Sequence, residues 1–289
     1  MLEKPQENAT ELYFIKLTID LAFKYIFGEE KNIELLKSLL TDITKLPIER
    51  LEGLGLRGEE LHRDSMADHK TIVDVRAVLA DKTQVAIEMQ VQNYRDMDKR
   101  SLYAWSKMYA AQLHKSEHYK DLAKCICINI LAFDFTKAED GHSVHVVKNA
   151  KTNDILIKDL EIHFVELPKR GQVGDTRLQR WMALLSSKSW EEMERNSEGD
   201  GIMRQVYEQA REIALNENKR IEVENRERFL IDQNSLRDDG FRDGVSTGEL
   251  GEKIKTAVRL YKMGLSVEQI IQATELSAEE VQQELAKHK

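Results

Sequence analysis

The run CICINILAF, residues 125–133, carries one polar side chain, Asn129, in an otherwise apolar stretch. A strand with apolar residues at both alternating sets of positions has to be covered on both faces, which calls for a sheet between helices. The chain is therefore expected to be a layered α/β protein. Cys125 and Cys127 lie two residues apart in this run, point to one face of a strand and cannot form a disulfide with each other. They read as small core residues of a protein in a reducing compartment. At 289 residues the chain is long enough for one sizeable α/β domain and an appendage.

The other elements follow from periodicity and punctuation. Residues 18–43 have apolar groups at helical spacing, with Leu21, Phe23, Ile26 and Phe27 before Gly28 and Leu35, Leu36, Leu39 and Leu40 after a cap at Asn32. IERLEGLGLRG reads as a short strand, and TIVDVRAVLA (71–80) with QVAIEMQVQ (84–92) as a hairpin around the turn DKT. Residues 96–115 form an amphipathic helix whose apolar stripe is Leu102, Trp105, Tyr109, Gln112 and Leu113, with Lys99, Arg100 and Lys107 outward. EIHFVELP is one more strand. From about residue 175 no strand signal is left and helix formers with dense mixed charge take over, so three segments are expected: a core at 14–172, a charged helical region at 173–238, and a tail at 239–289. In the last, Gly240, Gly244, Gly248 and Gly251 read as a flexible joint.

Alternation in the hairpin puts Val73, Val75 and Ala77 on one face and Asp74 and Arg76 on the other; Val85, Ile87 and Met89 face away from Glu88, Gln90 and Gln92. With a three-residue turn at 81–83, residue 74 lies opposite 90, and Asp74 and Glu88 become diagonal neighbours on the polar face. The helix 96–115 is expected on the opposite, apolar side or at the rim of their cleft. Two such carboxylates repel unless a cation sits between them, and carboxylates plus water suit magnesium, which keeps several waters and accepts a phosphate oxygen. The plainer reading is a half-exposed sheet with one charged face.

The words DLAFKYIFG from Asp20, DHKTIVDVRAVL from Asp68, VAIEMQVQ from Val85, KRSLYAWSKMYAAQL from Lys99 and HYKDLAKCICINILAFDF from His118 resemble, in this order, the recombination-promoting nuclease/transposase (Rpn) family of the PD-(D/E)XK superfamily. The resemblance implies an αβββαβ core, a mixed sheet flanked by helices, with an α-helical C-terminal extension. It implies a Mg²⁺-dependent DNA endonuclease linked to recombination or transposition, in which Asp74 and Glu88 bind the metal and the Met89 carbonyl completes the protein ligands. Gln90 stands where most of the superfamily has lysine; an amide can hold the attacking water but brings neither charge nor a titratable proton. Lys24 and Arg100 are the candidates for the missing positive charge. Each also has a plainer reading, a lysine snorkelling to solvent and an arginine pairing with a nearby carboxylate. Asp20 either faces the site or caps the first helix. Ser116 replaces the family's glycine at an expected turn.

Cutting both strands calls for two sites, so a homodimer is expected. The alternative is a non-catalytic DNA- or protein-binding relative of such a nuclease. A net charge of −8 speaks against general polyanion binding, so any nucleic-acid contact has to be local. No stretch has the roughly 20 apolar residues of a membrane span, and MLEKPQENAT has no apolar signal region; a cytoplasmic protein without a membrane partner is expected. The histidines show no metal-ligand spacing, HSVH at 142–145 included, which reads as a loop. In the tail, Ser266 with Gln269 and Ser277 with Glu280 are capping boxes for two short helices resembling a helix-turn-helix. Glu279, Glu280 and Glu284 on the second favour packing or oligomerisation over DNA reading.

Overall fold

Strand β4 (Cys125–Leu131) is buried at every position and lies inside a six-stranded sheet of order β1-β2-β3-β4-β6-β5. The computed structural model describes residues 12–48, 50–55, 74–93, 95–113, 118–171 and 176–287; the polar leader, Val73 with the start of the second expected strand, residues 56–58 and Ser116 lie outside them. Antiparallel pairing joins β1 (Leu51–Gly55), β2 (Val75–Leu79) and β3 (Gln84–Gln90). Parallel pairing joins β3 to β4 and β4 to β6 (Ile155–Glu166), and β5 (His142–Lys148) closes the edge antiparallel to β6. HSVH is thus the start of a strand, not a loop; its alternation is hidden because both edge-strand faces are only partly covered.

The two faces of the sheet are covered differently. Helix α3 (Met97–Ala110) packs on the face carrying Ala86, Cys125, Cys127, Leu160, Ile162 and Phe164. Its buried residues are Met97, Ser101, Ala104 and Met108, whereas Leu102 is half exposed. Of the expected stripe, Trp105 and Tyr109 pack against this cluster and Leu102 does not; small Ser101 and Ala104, between Met97 and Met108, let the helix approach the sheet. On the other face Val85, Ile87, Met89, Ile126, Ile128 and Ile130 are buried. Helix α1 (Asp20–Phe27) contacts β3, and it packs with α2 (Ile33–Thr44) and α6 (Gly201–Leu215); α4 (Arg177–Leu185) and α5 (Trp190–Ser197) join the same layer.

Helices after residue 176 therefore belong to the compact unit rather than ending it. Trp181 is fully buried beside Phe27, and its indole N–H donates to Asp42 Oδ2 at 2.8 Å. The first compact unit spans residues 1–227 and the second 228–289. Helix α7 (Glu217–Lys262) begins in the first and ends in the second, and Gly240, Gly244, Gly248 and Gly251 lie within it instead of breaking it. Each such glycine costs about 1 kcal/mol of helix propensity relative to alanine. In the second unit α8 (Val267–Thr274) and α9 (Ala278–Ala286) each start with the expected capping box, and Ile270, Leu276, Val281 and Leu285 form a core with Ala257 of α7. Among the described residues no helix is long and apolar enough to cross a membrane.

Candidate active site

The hairpin turn is one residue earlier than its sequence suggests. Leu79 N–H donates to Thr83 O and Lys82 N–H to Leu79 O, both at 2.9 Å, Lys82 takes φ 68°, and Asp81 Oδ1 accepts from Thr83 N–H. The loop is thus 80–82, and the pairs are Val75↔Ile87, Arg76↔Ala86 and Ala77↔Val85, two residues away from the expected register. A shift of two keeps every side chain on its face. Regular pairing ends at Val75↔Ile87, and the Asp74 N–H donates to Ile87 O at 3.0 Å, so Asp74 sits just outside the ladder, beside its last pair, rather than on a further rung diagonal to Glu88.

Asp74 is buried at 7 % exposure. Its Oδ2 accepts the Met89 N–H at 2.6 Å and its Oδ1 lies 3.2 Å from Lys24 Nζ of α1. Burial pushes its carboxyl above the usual range, Lys24 and the Met89 N–H pull it down, Asp20 pushes it up, and the net displacement is upward. Glu88 Oε1 accepts from Arg100 Nη2 of α3 at 3.0 Å. Burial raises its carboxyl too, Arg100 opposes, Asp74 adds to the rise, and the net is again upward. Helix α3 covers the face that bears Glu88, not the opposite one, and this brings Arg100 within reach.

The structure thus brings Asp74, Glu88, Lys24 and Arg100 together. Lys24 turns inward instead of snorkelling because Asp74 stands one turn of side chain away, and Arg100 does pair with a carboxylate, Glu88. Asp20 is the first residue of α1 and makes no side-chain cap; Arg226 of α7 grips its carboxylate from Nε and Nη2 at 2.7–3.1 Å. Sequence reasoning missed Arg226, which sits among dense mixed charge with nothing local to mark it. Three carboxylates, Asp20, Asp74 and Glu88, are matched by three cations, Arg226, Lys24 and Arg100. Gln90 is half-buried on the Glu88 face, and its Nε2 donates to Gln92 O at 3.3 Å. Met89 uses its N–H for Asp74.

No group of three or more His, Cys, Asp or Glu is placed to hold a metal among the described residues. The His142 and His163 rings meet at 3.1 Å between nitrogens, where burial and the second ring lower His142 to about 4. As metal donors Asp74, buried, and Glu88, half-buried, supply hard oxygens where desolvation penalises their charge, which fits a divalent cation completed by main-chain oxygen and water.

A mixed sheet flanked by helices, with one acidic residue just before β2 and another on the adjacent β3, defines an α/β protein of the PD-(D/E)XK-like fold. The profile of the PD-(D/E)XK nuclease family transposases matches residues 17–240, and the chain belongs to that family. Neither the comparison with curated proteins nor that with solved structures returned a match.

Proposed function

We propose that this protein is a Mg²⁺-dependent DNA endonuclease, connected with transposition or recombination, whose catalytic pair is Asp74 and Glu88. The observation that carries the reading is the convergence of buried Asp74 and half-buried Glu88, both displaced upward, with Lys24 and Arg100 beside them. Such displaced, clustered groups are characteristic of functional sites.

Asp74 and Glu88 would hold the ion, with the Met89 carbonyl as a further oxygen ligand. Bound there, magnesium supplies Lewis-acid polarisation of the phosphoryl oxygen and a more acidic water. Asp74 is kept in place by the Met89 N–H, a backbone donor that cannot swing away. Lys24 and Arg100 balance the carboxylates in the metal-free site; with the carboxylates engaged elsewhere, both cations are available to the scissile phosphate and the charge that develops on it. The Gln90 amide can orient a water by donating or accepting, without taking its proton. A homodimer offers two sites for two strands. Cytoplasmic location is part of the reading, since DNA is its substrate.

Relaxation of supercoiled plasmid, with magnesium and with chelator, tests the proposal. Magnesium-dependent nicking by the wild type, lost in Glu88→Gln, is expected. No nicking by folded wild type would overturn it and leave the non-catalytic relative as the reading.

A further inference from the structure

We infer that Ser101 and Asn129 are positioning residues for Arg100, and through it for the charge facing Glu88; the inference rests on the reading of Asp74 and Glu88 as the catalytic pair. Glu88 and Asn129 are register partners on the parallel strands β3 and β4, so their side chains rise from the same face of the sheet. Asn129 is 2 % exposed and Ser101 1 %, and both lie in an apolar cluster of Ala86, Met97, Ala104 and Cys127. Polar groups in such a place lose hydration and have to be repaid with hydrogen bonds.

They are repaid with bonds that fix orientation. The Asn129 Nδ2 donates to His163 O on β6 at 3.1 Å, which turns the amide oxygen toward α3. Ser101 Oγ lies 2.9 Å from that oxygen and 2.6 Å from Met97 O, so its single proton is shared between the sheet and the preceding helical turn. An apolar pair would pack as well but would let α3 rotate or slide; a directional bond from its second turn resists both movements. Arg100, the neighbour of Ser101, is 44 % exposed and has a long flexible stem. Its 3.0 Å contact with Glu88 therefore depends on where the helix backbone starts that stem. The seat is tight: Glu88, Ser101, Cys127 and Asn129 line a shared void of only about 10 Å³.

A double-mutant cycle on plasmid cleavage by the full-length protein tests this. Ser101→Ala keeps a good helix former and removes the bond. Its kcat is expected to fall about tenfold with KM for DNA unchanged, and to fall no further when added to Arg100→Ala, because a positioning residue has nothing left to position. If Arg100→Ala falls below detection, the same cycle is run on Arg100→Lys. Ser101→Ala as active as wild type, or a double variant whose loss is the product of the two single losses, would overturn the role. A wild type without magnesium-dependent cleavage overturns the catalytic reading first and the role with it, which separates the two failures.

Discussion

Glu166 is a buried carboxylate of the same sheet that bears the buried Asp74 and half-buried Glu88, and their environments push them in opposite directions. Glu166, the last residue of β6, has no exposed side-chain surface. Burial alone would raise its carboxyl, but Lys169 at 2.7 Å, the N–H groups of Phe135 at 2.6 Å and Thr136 at 3.1 Å, and the Thr136 hydroxyl outweigh it and hold Glu166 below the usual range. Asp74 has the Met89 N–H and Lys24, with Asp20 opposing; Glu88 has Arg100 and, more weakly, Lys24, with Asp74 opposing. Both stay above the usual range. Burial does not separate a structural carboxylate from a candidate catalytic one; the supply of donors and the presence of a like charge do. Glu166 is saturated with donors and ties the 135–136 segment to the sheet, while at Asp74 and Glu88 the paired cations do not offset burial and the neighbouring like charge.

The largest expected effect separates the regions by activity. Asp74→Asn and Glu88→Gln should each lower magnesium-dependent plasmid nicking by about a thousandfold or more, the scale of losing one member of a catalytic unit. Glu166→Gln should retain nicking at temperatures where it is folded. Equal losses in all three variants would erase the distinction.

Stability should rank them the other way. Glu166→Ala leaves buried donors and Lys169 without their acceptor and should cost about 3 kcal/mol in denaturant unfolding. Glu88→Gln removes a charge that burial penalises and should cost less than about 1 kcal/mol. Asp74→Ala falls between them, since it strands the Met89 N–H; the site is too buried for truncation to be harmless.

Magnesium sharpens the contrast further. In excess over its Kd it should raise the unfolding midpoint of the wild type and of Glu166→Gln by a few degrees, through preferential binding to the folded state, and leave Glu88→Gln unmoved. A midpoint that rises equally in Glu88→Gln would place the ion elsewhere.

The smallest effect is in the pH dependence of stability without metal. Glu166 binds its proton less tightly when folded, so its contribution is present above the ordinary value of 4.5 and is lost as pH falls below it. Asp74 and Glu88 bind theirs more tightly when folded, so stability should decline as pH rises through the window above the ordinary value, and Glu88→Gln should flatten that decline. Urea titrations at a series of pH values would reveal the two opposite slopes; a decline unchanged in Glu88→Gln would refute the sign assigned to it.

Particular residues mark how far the sequence could be read. Period-2 alternation was enough to separate the two faces of the hairpin, and this survived a turn displaced by one residue because the register moved by two; Asp74, one residue outside the ladder, was placed by its bond to Ile87 O instead. The same reasoning failed for α3, where Ser101 and Ala104 rather than Leu102 face the sheet; the approach distance of a helix is not a local property. It failed again for β5, whose edge position blurs alternation, and for the glycines of α7. Arg226 had no signal at all, because its significance lies in reaching Asp20 across 206 positions.

By itself the sequence determined what depends on local periodicity and chemistry: a central strand covered on both faces, the α/β layering, the capped helices of the tail, and the family to which the chain belongs. Only the tertiary structure decided which cation meets which carboxylate. Lys24, Arg100 and Arg226 arrive from three helices far apart in the chain, and whether a charge is neutralised, buried or left wanting depends on distances of a few ångströms that no single segment encodes.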